Sequence, residues 1–332
     1  GGSFPESFTN TYIAANLLSN AIHWHILEPS GSTFKAKFGG ELLVANDPWF
    51  RPVDCAIGPE GAVYVADWYD ERANHVDPKD DWDKTNGRIY RIVANGTKVE
   101  QPQNLADRSI RELVEMLTHK NEWYARTARR LLAERRDPDA LKELKARSFD
   151  RDNPTNALTA LWGLAACGGF DDTIAEEMLA SPHPDCRAWA VRLSCDPRRV
   201  SATIARRLAK LAKSEPEVTV RCQLAASAKR LAGPEAMPII SALLTRSEDA
   251  KDTFVPLLLW WSVEDKAISD RQAVVDLFRA PKEWELPLVR DYLIERLSRR
   301  YVAEGSEADF QSCADLLSRA PTAEALTLVI SG

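Results

Sequence analysis

Five stretches in the C-terminal two thirds of this sequence can be laid on one another: HKNEWYARTARRLL (119–132), DNPTNALTALWGL (152–164), SPHPDCRAWAVRL (181–193), SEPEVTVRCQLAA (214–226) and DAKDTFVPLLLWW (249–261). Each is a polar turn followed by an apolar helical pattern. The matching positions Arg126, Asn156, Arg187, Arg221 and Phe254 fall 30 to 34 residues apart. WELPLVRDYLIERL (284–297) reads as a sixth unit, and second helices, such as Ile174 to Leu179 and Val200 to Leu211, lie between the repeats. A helix pair that can bury its apolar stripe only against its neighbours must stack, so this period predicts an α-solenoid. The helical grammar begins near Leu105. Ile110, Leu113, Val114 and Leu117 share one helix face, and Ser109 with Glu112 forms a capping box that satisfies the first free amides. Asn153-Pro154 places a cap before a first-turn proline, and LAACGGFDD (164–172) reads as a helix C-cap followed by the next N-cap.

Residues 1–95 obey a different pattern. They hold 8 of the 15 glycines and read as short strands joined by turns. Tyr12 to Ala15, Ile22 to Leu27, Glu41 to Ala45, Val53 to Ile57 and Ala62 to Ala66 are apolar or β-favouring runs, and Arg88 to Val93 alternates polar with apolar residues. Turns are expected at Glu28 to Gly31, at Gly58 to Gly61 and at FGGE (38–41). Such spacing predicts a barrel, sandwich or propeller. The expected class is therefore α+β multidomain: residues 1–95 a β part, 96–108 a linker and 109–332 the solenoid.

Composition narrows the function classes. The 332 residues are 45% apolar and 28% charged, as in a soluble globular chain with room for two domains. The longest apolar stretch, Val255 to Val263, is too short to span a bilayer, and no charged-then-apolar leader precedes Phe4. The net charge of -6 is concentrated in residues 1–95, which hold 13 acidic against 8 basic side chains. An acidic chain is a poor phosphate-backbone binder, so nucleic acid is not an expected partner; basic clusters such as Arg126-Arg129-Arg130 read as a solvated helix face. None of the six cysteines is spaced as C-x-x-C, and most read as buried free thiols, with a Cys186–Cys222 disulfide as the alternative.

One segment carries a resemblance. Phe50-Arg51-Pro52-Val53-Asp54, Gly58-Pro59 with Gly61-Ala62, Tyr64-Val65-Ala66-Asp67-Trp68-Tyr69, Asn74-His75 and Gly87 to Ile92, with GSTFKAKFGGELL (31–43) upstream, form one continuous pattern. It resembles the last β-propeller blade of the PVC-type (planctomycete and verrucomicrobial) membrane-bound dehydrogenase-like family. Asp185 with Arg187 and Glu217 with Arg221, at the turns of the repeats, similarly resemble HEAT-type elements. In that family a propeller resembling those of quinoprotein sugar dehydrogenases is followed by HEAT-like repeats and a c-type haem segment with a C-x-x-C-H motif. The sequence departs from it twice. A closed ring needs about four blades of four strands, whereas residues 1–95 supply about two, and C-x-x-C-H is absent. The resemblance thus implies a partial β-propeller and an α-solenoid: an internal or C-terminal slice of a c-haem-linked, extracytoplasmic or periplasmic sugar or polyol dehydrogenase. It carries over no catalytic residue. It implies no cofactor in this piece; quinone, calcium and c-type haem would belong to the parent, and the partners would be its remaining blades and c-haem domain. The alternative is a non-catalytic interaction module whose solenoid groove binds a protein.

The residues that would rim a pocket are Arg51, Asp54, Asp67, Trp68, Tyr69, Asn74 and His75. Asp67, Trp68 and Tyr69 close a strand, where side chains can face a channel or instead build a structural turn whose Asp accepts backbone N–H bonds. Arg51 and Asp54 either face the same region or pair with each other, and His75 reads as a base, a ligand or a solvated loop histidine. Asp77, Asp81 and Asp83, with Asp80 between them, form an acidic loop and a candidate calcium site, since calcium needs several converging oxygens; the EF-hand pattern is not met. His23 and His25 alternate on one strand face, where they would either join a third ligand on a metal or stand half-exposed. A further reading is a carbohydrate-binding surface made by loops 67–86. The sequence contains no nucleophile elbow, phosphate loop, dinucleotide fingerprint or metallohydrolase motif.

Overall fold

The structure, a computed structural model, describes residues 4–73, 76–79, 81–97, 99 and 101–332. It is α+β: two three-stranded antiparallel sheets precede a long series of helices. The chain divides into two compact units, which are described separately. One holds the residues up to Ser30, Phe34–Ser148 and Thr159–Gly168; the other holds Gly31–Thr33, Phe149–Leu158 and Gly169–Gly332.

In the first unit, β1 (Thr11–Asn16), β2 (Ala21–Ser30) and β3 (Thr33–Val44) form one sheet in that order. The second sheet is β4 (Pro52–Ile57), β5 (Val63–Asp67) and β6 (Arg88–Ile92). Alternation puts Ile13 and Ala15 of β1, Ile22 of β2 and Val63 and Val65 of β5 into a shared core around Phe50. Asn20, in the left-handed region at φ 55°, donates to the carbonyls of Pro48 and Phe50 at 3.1 and 2.7 Å and so fastens the β1–β2 turn to the start of β4. The expected turn at FGGE is not there: Gly39 and Gly40 lie inside β3. Their role is clearance, because a Cβ on Gly39 would sit 2.3 Å from the Trp24 ring that crosses the strand. Each sheet has three strands among the described residues, where a propeller blade has four.

The same unit continues past residues 96–108 into α1 (Ile110–Met116), α2 (Glu122–Arg135) and α3 (Pro138–Ser148), and takes the C-terminal part of α4 (Pro154–Ala166). The capping box of Ser109 and Glu112 opens α1. Asn121 joins sheet to helix. Its Oδ1 caps α2 by accepting from the Trp123 N–H at 3.0 Å, and its amide group donates to the carbonyls of Gly58 and Pro59, both at 3.0 Å. Asn121 is fully buried, so the β4–β5 turn is tied to the first turn of α2 away from water.

The second unit has two helical layers. α5 (Asp172–Leu179), α7 (Ala202–Ser214) and α9 (Gly233–Leu244) pack in succession, as do α6 (Pro184–Cys195), α8 (Val218–Ala228) and α10 (Val255–Lys266). Neighbour-on-neighbour stacking of this kind is what a helical repeat requires. α11 (Arg271–Val275), α12 (Pro281–Trp284), α13 (Pro287–Tyr292), α14 (Ile294–Glu304), α15 (Glu307–Arg319) and α16 (Ala323–Ser331) complete it. Two of the repeat arginines, Arg187 and Arg221, bond forward by one unit and not to the acids beside them in sequence. Arg187 grips Glu215 with two bonds of 2.8 and 2.6 Å, and Arg221 grips Asp249 with two of 2.6 Å. The third nitrogen of each arginine donates back to the two carbonyls opening its own turn, Ser181 and Pro182 for Arg187, Glu215 and Pro216 for Arg221. Asp185, in the first turn of α6, and Glu217, the N-cap residue of α8, stay exposed, where an acid favourably faces free amides.

All six cysteines are free, so the Cys186–Cys222 disulfide is not formed. Burial pushes the thiols of Cys186 and Cys195 up to about 11 and about 12, which leaves them protonated and inert. No helix among the described residues is long and apolar enough to cross a membrane.

Two stability predictions follow from these joints. Arg221→Met should cost about 3–5 kcal/mol in urea melts because it strands a buried carboxylate, whereas Arg221→Met with Asp249→Leu should recover most of that loss. Asn121→Ala should cost about 2–4 kcal/mol by removing a cap and two buried bonds. Asn121→Asp keeps the cap acceptor but turns an oxygen onto two carbonyls, and should melt no higher than the alanine variant.

Candidate functional site

The loops that follow β5 are organised by two buried carboxylates. Asp67 Oδ1 accepts from the backbone N–H of Arg51 at 2.8 Å and of Tyr69 at 2.9 Å. Its Oδ2 is buried with no hydrogen-bond partner among the described residues, and the Arg88 guanidinium lies 4.0 Å from it. Asp70 accepts from the N–H groups of Arg72 and Asp83, both at 2.8 Å, which pins the two ends of the acidic loop together. Tyr69 is held in the left-handed region at φ 49°, a strained position for a bulky residue, with its ring under the Arg88 guanidinium at 3.8 Å and beside Trp49 at 5.8 Å. Trp68 is 53% exposed and meets Trp82 edge-on at 6.2 Å.

Of the residues expected at a rim, the structure gathers Arg51, Asp67, Trp68 and Tyr69. The Arg51 side chain is buried and donates to the carbonyls of Glu71 and Phe50, so it braces the loop. Asp54 does not pair with it; Asp54 is exposed on β4 and accepts from the N–H of Cys55. Asn74, His75 and Asp80 lie outside the described residues. The acidic loop gathers around an arginine: Arg72 pairs with Asp81, donates to the carbonyls of Asp77 and Lys79, and covers the Trp82 ring. Asp77 accepts from the N–H of Lys79, and Asp83 binds the side chains and N–H groups of Thr85 and Asn86. No group of three His, Cys, Asp or Glu among the described residues is arranged to hold a metal. His23 and His25 do share a face, with Phe38 packed edge-on against both rings.

Sequence reasoning missed Asp70, which carries the Asx-turn pattern of an acid accepting from the N–H two residues on. It also missed a cleft of about 1000 Å³ in this unit, lined by none of the rim residues. One wall is β-sheet, with Ile13, Ala56, Ile57 and Val63; the other is α2, with Trp123, Arg126, Arg129 and Arg130.

The fold and rim thus define an α+β protein with small antiparallel sheets, a polar and aromatic loop surface and stacked helix pairs. A family model described as a domain of unknown function, DUF7133, matches residues 1–96, the part that contains both sheets and the loops between them. No curated protein matches the chain.

Hydrogen bonds from the Asn86 amide, and then from Thr85, hold the Asp83 carboxyl at about 2, below the usual 3.8. A depressed folded-state value means that this turn is fully supported above about pH 4 and loses that support as pH falls through about 2. The amide resonances of Thr85 and Asn86 should therefore stay fixed on acidification to about pH 4 and then shift with a midpoint near 2; in Asp83→Asn that titration should vanish.

Proposed function

We propose that this chain is a non-catalytic piece of a c-haem-linked, quinoprotein-like sugar or polyol dehydrogenase. In this reading the two sheets belong to the end of a β-propeller, and the helical repeats are a scaffold for the electron-accepting domain. The observation that carries it is the loop surface rooted on Asp67: a rigid, strained turn that presents Trp68, Tyr69 and Trp49 beside a buried, half-unsatisfied carboxylate. Aromatic faces next to fixed acceptors suit a polyhydroxylated substrate, with rings against C–H faces and a carboxylate oxygen for a hydroxyl. The motifs that resemble the dehydrogenase-like family lie in the sheets and the loops around them, within the matched residues 1–96. Quinone, calcium and haem enter only with the rest of the parent, as does its extracytoplasmic setting. A second reading, a protein-interaction module, is favoured by α10 and its cap, where Phe254, Leu257 and Trp261 are 48%, 38% and 45% exposed and share one helix face.

The test is to express the whole reading frame that encodes this chain and to follow dye reduction with a panel of sugars and polyols. The dehydrogenase reading expects a haem spectrum and substrate-dependent reduction. In that protein Trp68→Ala should raise KM about tenfold, while Asp54→Ala should leave it unchanged. A frame with neither haem motif nor substrate-dependent reduction would sink this reading and leave the interaction module.

A further inference from the structure

The cleft between strands β1, β4 and β5 and helix α2 has two unlike walls. At about 1000 Å³ it has the capacity of a small-molecule site. The strand wall is apolar, with Ile13, Ala56, Ile57 and Val63. On α2, Arg126, Arg129 and Arg130 stand at i, i+3 and i+4, so one helix face directs three guanidinium groups to the same opening. Glu122 is the one carboxylate among the lining residues. With Arg129 facing Glu122 and Arg130 facing Glu134, Arg126 is left as an uncompensated positive charge on the wall of a chain whose net charge is -6.

The three arginines are not equally engaged. Arg130 pairs with Glu134 at 2.9 Å, and Arg129 lies over the Trp162 ring at 5.1 Å with Glu122 at 3.8 Å. These are partly exposed contacts of the kind that exchange readily. Arg126 is exposed and has no hydrogen-bond or ion-pair partner among the described residues. A solvated basic face explains the arginines but not the apolar wall they look onto. A nucleic acid would use the charge and leave that wall uncovered, and three cations on an acidic chain give it little affinity. An occupant that satisfies both walls has an apolar body and an anionic head.

We propose that this cleft binds a free amphipathic monoanion, an aliphatic carboxylate, with its head on Arg126 and its chain along Ile13, Ala56 and Ile57. The proposal is independent of the dehydrogenase reading. Charge-assisted bonds to a guanidinium fix the head, and burial of the methylene chain supplies the rest of the affinity.

Calorimetric titration of the intact chain with laurate, below its micellar range, tests this. Dodecyl maltoside and dodecyltrimethylammonium serve as neutral and cationic partners of equal chain length. The expected result is saturable laurate binding at one site, weakened about tenfold or more in Arg126→Gln and in the controls. Ala56→Trp, which fills the apolar wall from a strand position that tolerates aromatics, should weaken it comparably. Arg126 has no partner to lose, so Arg126→Gln should melt like the parent. Equal binding of all three amphiphiles, or laurate binding unchanged in both variants, overturns the proposal. So does association with anionic phospholipid vesicles without uptake of free laurate.

Discussion

The second unit is organised by arginines that reach one repeat forward. Taking a guanidinium and a carboxylate out of water is expensive, and two bidentate bonds at 2.6–2.8 Å only roughly offset it. What such a pair supplies is register, because any sliding of α6 on α8 would leave a buried charge alone. Glu215 shows how the pairs are linked: its carboxylate receives Arg187 while its backbone carbonyl receives Arg221. The helix layers then need only generic apolar contacts, such as Ala190, Val191, Leu224 and Ala225, to fill the space between them.

The first unit solves a different problem, that of joining a sheet to a helix without leaving buried backbone groups unpaired. Asn121 does so with one amide that accepts from the helix and donates to the turn. Once that turn is fixed, β4 and β5 hold Asp67 at the opposite end of the pair, and Asp67 shapes the loop through backbone bonds instead of side-chain contacts. The loop is strained at Tyr69, whose N–H donates to Asp67 and whose ring lies against the Arg88 guanidinium.

The division between strands and helices was legible because period 2 and period 3.6 are set by which residues must face a core. Caps at Ser109 and Asn153 were legible for the same local reason. Long-range facts were not. FGGE has the composition of a turn, and only Trp24, fifteen residues earlier, explains glycines inside a strand. Arg187 and Arg221 each had an acid nearby in sequence, but their partners lie 28 residues on. At the rim, Asp67 and Tyr69 read as a structural turn or a pocket edge, and the geometry puts Asp67 in a turn where it accepts from the N–H groups of Arg51 and Tyr69. Asp54 looked like a partner for Arg51, but the N–H of Cys55 and the strand pleat keep it outward. The cleft escaped notice because Arg126, Arg129 and Arg130 look like any solvated helix face until a sheet stands opposite them.

The forward reach of the arginines also constrains how such a chain can change length during evolution. Arg187 and Arg221 occupy equivalent places 34 residues apart, and their acceptors Glu215 and Asp249 are separated by the same interval. Loss or duplication of one such block hands each guanidinium an equivalent carboxylate, whereas an indel of any other size inside a helix orphans an ion in the interior. Homologues of this half should therefore differ by whole blocks, with odd-sized insertions confined to the solvent-facing bends.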